Sequence, residues 1–296
     1  MPRDVRERLE ELIGPKPTEG GRLPAVIVAG PGQALTHRAE LVLEDGTELG
    51  RLDRLPRDVP FGYHQLRTGR SEALLVCGPG RCPPPRGHSW GWAVQLYAAR
   101  SRASWGIGDL ADLRDLARWS AGLGAGFLVV NPLNAETPAH RIQPSPYFPS
   151  SRRFHSPLYL RMEDVPGAGA LGDRLERLAA AGRALNGGSR IDRDAVFRLK
   201  MDALEAIWET SPPTPGLAAF RAAHGSVLRE WATFAAIAER HGAGWSRWPG
   251  ELRRPAGAAV ARFAAAHADR IAFHEWVQWL IDDQLRRAAE PLQPFA

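Results

Sequence analysis

"WGWAVQLYAARSRASWGIGDLADLRDLARWSAGLGAGFLVVNPLNAETP", residues Trp90–Pro138, changes its hydrophobic period twice. Its opening, "WGWAVQLYA", reads as a buried strand. In the next part Leu110, Leu113, Leu116, Ala117 and Ala121 fall on one helical face, and "FLVVNPL" reads as a second buried strand. Strand, loop, helix and strand in this order predict a βαβ unit with a parallel sheet. The loops that follow such strands lie at one end of the sheet, which is where ligands bind in folds of this kind.

Outward from this stretch the chain changes character on both sides. Residues 1–20 carry a short amphipathic helix closed by Gly14 and Pro15. Residues 21–87 then hold apolar runs, "LPAVIVAG", "AELVLEDGTELGRL" and "SEALLVCGP", with Asp45-Gly46 as a hairpin signal. This predicts a small β domain with "GPGRCPPPRG" as its exit linker. After Leu160 the pattern turns helical, with segments expected over roughly 171–184, 192–209, 215–223, 226–240, 256–267 and 268–290.

Composition excludes several classes of function. A chain of 296 residues with 44% hydrophobic content can bury a large core. No stretch approaches the roughly 20 apolar residues of a membrane span. The charged start lacks a signal-peptide centre, so the expected compartment is the cytoplasm. The net charge of +5 comes almost wholly from arginine, since Lys16 and Lys200 are the only lysines. Those arginines are dispersed among acidic residues and form no stripe, which argues against nucleic acid. Cys77 and Cys82 have no neighbouring Cys or His cluster and read as reduced thiols. No metal site is indicated.

The candidate site draws on three segments: "SRASWGIGD" after the first strand, "NPLNAET" after the second, and "SPYFPSSRRFHSPLYL", residues Ser145–Leu160. Trp105 and Tyr147 offer flat aromatic surfaces, and Ser145, Asn131 and Asp109 offer hydrogen-bonding groups, a mixture that suits sugars. Phe148, Phe154 and Tyr159 are expected to be core rings. Asp109, Asp112 and Asp115 fall opposite the leucines and read as a solvated face, with Asp109 also placed to cap the helix. Glu136 stands out as an acid in a loop after a buried strand. Glu275, Asp282 and Asp283 read as surface groups of the last helix.

Taken in order, these segments, with "DAVFRLKMDALEAIWE", "WATFAAIAERHGAGWSRWPGELRRP" and "FHEWVQWLIDDQL", resemble the 4-α-glucanotransferases (amylomaltases) of glycoside hydrolase family 77. The β domain, with "VPFGYHQL", resembles the extra domain of the longer bacterial members. The resemblance implies an α/β fold: a small β-sandwich-like domain, then over 88–296 the start of a (β/α)8 barrel with a large helical insertion at about 170–290. It implies transfer of α-1,4-glucan segments, from maltooligosaccharides or glycogen- or starch-derived dextrins, to the 4-hydroxyl of an acceptor sugar. A retaining double displacement of this kind uses two carboxyl groups about 5 to 5.5 Å apart and no metal or organic cofactor. It places Ser145, Pro146 and Tyr147 at the donor-sugar side of the cleft, and with Trp105 and Asn131 from the site above these are the expected substrate-binding residues.

The family's nucleophile lies in an Arg-Ile-Asp-His motif after the fourth barrel strand. "RIDRD", Arg190–Asp194, is a near match, but it precedes a helix and places Asp192 as an N-cap. Where the family continues into a third strand, this chain has "RRAAEPLQPFA". The catalytic carboxylates are therefore expected beyond residue 296, with the 296-residue chain inactive alone and prone to aggregate through open strand edges. Family members also carry His where Asn134 stands and Leu-Asn at His155 and Ser156.

Overall fold

A computed structural model describes residues 23–69, 71–82, 88–139, 141–210 and 215–292. The helix expected within residues 1–20 and part of the linker lie outside these. The chain divides into two compact units, Met1–Gly87 and His88–Ala296.

The first unit holds five strands, β1 (Val26–Ala29), β2 (Ala34–Val42), β3 (Glu48–Arg54), β4 (Gly62–Thr68) and β5 (Ser71–Cys77), in one mixed sheet of order β1-β5-β4-β2-β3. β1 runs parallel to β5 and every other pair is antiparallel. The hairpin forms where Asp45-Gly46 predicts it: Gly46 has φ 88°, and the Asp45 carboxylate accepts the Thr47 N–H at 2.9 Å. Strand alternation buries Leu41, Leu66, Ala73 and Leu75 on one face and leaves Val28, Leu74 and Tyr63 exposed on the other. The described residues make this single sheet, so the sandwich-like pair of sheets is not formed by them. β4, "GYHQLRT", carries no apolar alternation of its own. It is a strand because it pairs on both sides, with buried His64 donating from Nε2 to the Pro60 carbonyl and accepting the Glu44 N–H at Nδ1.

The second unit opens with β6 (Gly91–Val94), α1 (Leu110–Gly122) and β7 (Phe127–Val130), and the two strands pair in parallel. This is the βαβ arrangement. The strands are not enclosed, however: Trp92, Phe127 and Val129 are each 40% exposed or more. The apolar side chains of a parallel strand need cover on both faces, and among the described residues the face bearing Phe127 and Val129 has none. A short antiparallel pair follows, β8 (Asn134–Ala135) with β9 (Ser151–His155).

The helices match the predicted spans closely: α2 (Asp173–Ala184), α3 (Arg193–Thr210), α4 (Pro215–His241), α5 (Ala258–Ala266) and α6 (Ala268–Ala289). α4 is two helices joined at Gly225, whose φ of 55° and ψ of −138° suit glycine alone. α6 is the central helix, burying Ile271, Phe273, Trp276, Val277, Leu280 and Ile281. So many buried positions leave it little solvent face, and its polar residues there must find partners inside. None of the described helices is long and apolar enough to cross a membrane.

Candidate functional site

The site is built at the ends of β6 and β7. Asn131, the residue after β7, is buried, and its side-chain oxygen accepts the N–H of Leu96, just past β6, at 2.8 Å. Its amide nitrogen donates to the Pro132 carbonyl at 2.9 Å and to the Tyr159 hydroxyl at 3.0 Å. Asn131 thus ties two strand ends together and fixes the ring of Tyr159. Gly108, in the loop after β6, lies against the carbonyls of Leu96 and Ala99, where any side chain would collide with backbone.

Tyr159 sits on a short 3-10 turn, Pro157–Tyr159, whose N-cap is Ser156. The Ser156 hydroxyl accepts the Leu158 N–H at 3.2 Å and donates to the Glu136 carboxylate at 2.8 Å. Burial raises the Glu136 pKa to about 7, although the bonds from its own backbone and Ser156 and the positive charge of Arg193 pull the other way. Burial also lifts the Tyr159 hydroxyl to about 12, against the bond from Asn131, with Glu136 adding to the rise. Arg193, at the start of α3, lies over the Tyr97 ring at 5.4 Å.

Glu136, Ser156, Tyr159 and Arg193 line a small cavity together with Ser145 and Pro146. Its volume is about 20 Å³, room for one water and not for a sugar ring. A sugar would meet these groups at the mouth, through a hydroxyl. The cavity lining holds one carboxyl group, Glu136, where a retaining glycosyl transfer needs two. Beside the mouth, Tyr147 is 64% exposed and Phe148 74% exposed on a turn in which the Ser145 hydroxyl accepts the Tyr147 N–H.

Residues 94–293 match the profile of glycoside hydrolase family 77, described as 4-alpha-glucanotransferase. The chain belongs to this family. A curated 4-alpha-glucanotransferase from Mycobacterium tuberculosis is 41% identical over 319 aligned positions, covering 90% of this chain and 44% of that protein. One from Haemophilus influenzae is 27% identical, with 93% and 46% covered. Among solved structures, amylomaltase from Corynebacterium glutamicum superposes with a TM-score of 0.71 at 27% identity, over 99% of this chain and 46% of that one. Amylomaltase from Streptococcus agalactiae in complex with acarbose shares the fold at a TM-score of 0.54 and 17% identity, over 70% of this chain and 41% of that one. The chain spans less than half the length of the curated relatives it matches.

Within this family 77 chain, the residues expected at the site separate. Ser145 and Pro146 line the cavity and Tyr147 stands exposed beside it. Asn131 lies behind, with both ends of its amide engaged by protein. Trp105 does not offer a stacking surface: it is 1% exposed, its indole N–H donates to Glu163 at 3.0 Å, and Gly182 of α2 packs flat on its ring. The expectations for the other rings divide as well. Phe154 and Tyr159 are buried, but Phe148 is among the most exposed aromatics described.

The acidic row on α1 is also corrected. Asp109 caps the helix as expected, in a reciprocal capping box with Asp112, but both are buried and only Asp115 faces solvent. Arg161 accounts for this, pairing with Asp109 at 2.7 Å and Asp112 at 3.0 Å, while Ser104 donates to Asp112 at 2.6 Å. Glu275 is likewise buried, paired with Arg221 at 2.6 Å. Asp192 accepts the Ala195 N–H at 2.9 Å, so the near match "RIDRD" opens a helix. Arg193 and Ser156 carry no local signal of a site. Departures from the family at His155-Ser156 were the one hint.

Proposed function

We propose that residues 88–296 supply the amino-terminal part of the sugar cleft of a cytoplasmic 4-α-glucanotransferase, which transfers α-1,4-glucan segments between maltooligosaccharides or larger dextrins by a retaining double displacement. The observation that carries this is the family match across 94–293, colinear with the β6–α1–β7 unit and the turn at Ser145–Tyr147. Tyr147 is the ring on which a sugar face stacks, and Ser145 and Pro146 shape the mouth beside it. Asn131 serves from behind by holding Tyr159. The reading assigns no residue of this chain as nucleophile or acid/base, and it calls for no metal or organic cofactor.

The test is a chimera in which residues 1–296 are followed by the remaining portion of the mycobacterial relative. Incubated with maltotriose, it should yield glucose and longer maltooligosaccharides by chromatography. An inactive but folded chimera, beside an active parent, would overturn the reading. Ready turnover by the 296-residue chain alone would overturn the assignment of the carboxylates elsewhere. The exposed pair Tyr147 and Phe148 favours one second reading, a non-catalytic α-glucan-binding protein. Micromolar binding of maltoheptaose to the chain, with no activity in the chimera, would select it.

A further inference from the structure

In the segment His155–Arg161, the N–H and carbonyl of His155 and of Arg161, the Ser156 N–H and the carbonyls of Leu158 and Leu160 are held by side chains from elsewhere or by a backbone carbonyl outside the segment. At one end, the Gln278 side chain accepts the His155 N–H at 3.0 Å and donates to the His155 carbonyl at 2.9 Å. At the other, Gln284 accepts the Arg161 N–H at 2.9 Å and donates to the Arg161 carbonyl at 2.9 Å. Between them the Lys200 ammonium donates to the carbonyls of Leu158 and Leu160 at 2.6 and 2.7 Å. The Ser156 N–H goes to the Leu133 carbonyl at 2.9 Å.

Each glutamine thereby reproduces the paired donor and acceptor of a neighbouring β-strand. Six residues of helix rise about 9 Å, whereas six extended residues reach about 20 Å. The turn at Pro157–Tyr159 brings the segment towards the shorter span. Gln278, Gln284 and Lys200 are all buried, on helices α6 and α3. A buried amide or ammonium is costly unless it is hydrogen-bonded, and the bonds these three side chains make run to this one segment.

We propose that Gln278 and Gln284, with Lys200, are positioning residues through which the helical region sets the sugar-binding turn that carries Ser156 and Tyr159. The proposal rests on the reading of the site as a sugar cleft. It gives the helices α3 and α6 a task in recognition: the register of Tyr159 against Asn131, and of Ser156 against Glu136, is fixed from the helical side at both ends of the segment.

The test is Gln278→Glu, which keeps shape and size. As a carboxylate it still accepts the His155 N–H but sets an oxygen against the His155 carbonyl. Protonated, it donates there again and restores the amide pattern. Nuclear magnetic resonance reads the His155 amide protection and, by titration, the affinity for maltoheptaose, each referred to wild type at the same pH. His155, Glu136, Asp282 and the Asp109, Asp112 and Arg161 cluster are present in both proteins, so that reference removes the pH effects the two share. At about pH 8, protection and affinity should each fall about tenfold, as expected for one lost charge-free bond and a repulsion in its place. At about pH 5 both should return to within about twofold, whereas Gln278→Ala stays impaired at both. Gln284→Glu should behave alike at Arg161. Affinity unchanged in Gln278→Glu at pH 8, or a loss that acid does not restore, overturns the proposal. If only the chimera binds maltoheptaose, the same substitutions are read in it; no binding by either the wild-type chain or the chimera defeats the reading of the site, and the proposal with it.

Discussion

Replacing Glu136 by glutamine should favour the stability of the second unit, relative to wild type, more at alkaline pH than in acid. The Glu136 carboxyl is buried and its pKa is raised from 4.5 to about 7, chiefly by burial. A raised folded pKa means that the folded state favours the protonated form. The stability this contributes is present in full below the unfolded pKa and is lost as pH rises through about 7. At about 1.4 kcal/mol for each pH unit between the two values, the whole loss is about 3 kcal/mol, most of it between pH 5 and 8. Glutamine cannot ionise, and its oxygen can still accept the Ser156 hydroxyl. Its amide N–H groups need acceptors, and a missing one costs about 1 to 3 kcal/mol at every pH. The informative quantity is therefore the difference in ΔΔG between the two pH values, about 2 to 3 kcal/mol in favour of the variant at pH 8. Urea unfolding followed by tryptophan fluorescence measures it cleanly, because all ten tryptophans lie in the unit His88–Ala296. Equal ΔΔG at both pH values would refute the argument that a buried carboxyl titrates here near neutrality.

Arg161→Met should destabilise the same unit by about 3 to 5 kcal/mol, because it strands the buried carboxylates of Asp109 and Asp112. The loss in urea unfolding should be smaller in acid, because burial raises the Asp109 pKa and lets that carboxyl take up a proton once Arg161 is gone. Gly182→Ala would put a methyl 2.5 Å from the Trp105 ring, with an expected cost of about 1 to 3 kcal/mol. An unchanged urea midpoint would show that α2 can shift away from the ring. Phe127→Gln, on the uncovered face of β7, should reduce concentration-dependent association in sedimentation velocity without lowering the unfolding midpoint. A lowered midpoint would mean that this face is covered in solution.

Much of this architecture was legible from local pattern. The six helical segments, the β6–α1–β7 unit and the Asp45-Gly46 hairpin each follow from residues close in sequence, as does the capping of α1 by Asp109 and of α3 by Asp192. Strand β4 was missed because its order comes from two neighbours and not from its own side chains. Of the residues lining the small cavity, the sequence reading names Ser145, Pro146 and Glu136 as candidates, but not Ser156 or Arg193, nor the Gln278 and Gln284 that hold the turn. Nothing in a local window marks a glutamine that bonds a backbone 123 residues away.

The sequence by itself determined the element order and the turns, because helix period, strand alternation and capping act over a few residues, and its ordered segments carried the resemblance to the family. Only the tertiary structure decided which polar groups are buried and which rings are free. Asp112 and Asp115 lie on one helix and look alike in sequence, yet one is buried because Arg161 reaches it, and the other faces water. Trp105 and Phe148 exchange the roles that composition suggests, for the same reason. Burial depends on what the rest of the chain brings alongside, and a charge or amide tolerates it only when a distant partner completes its bonds.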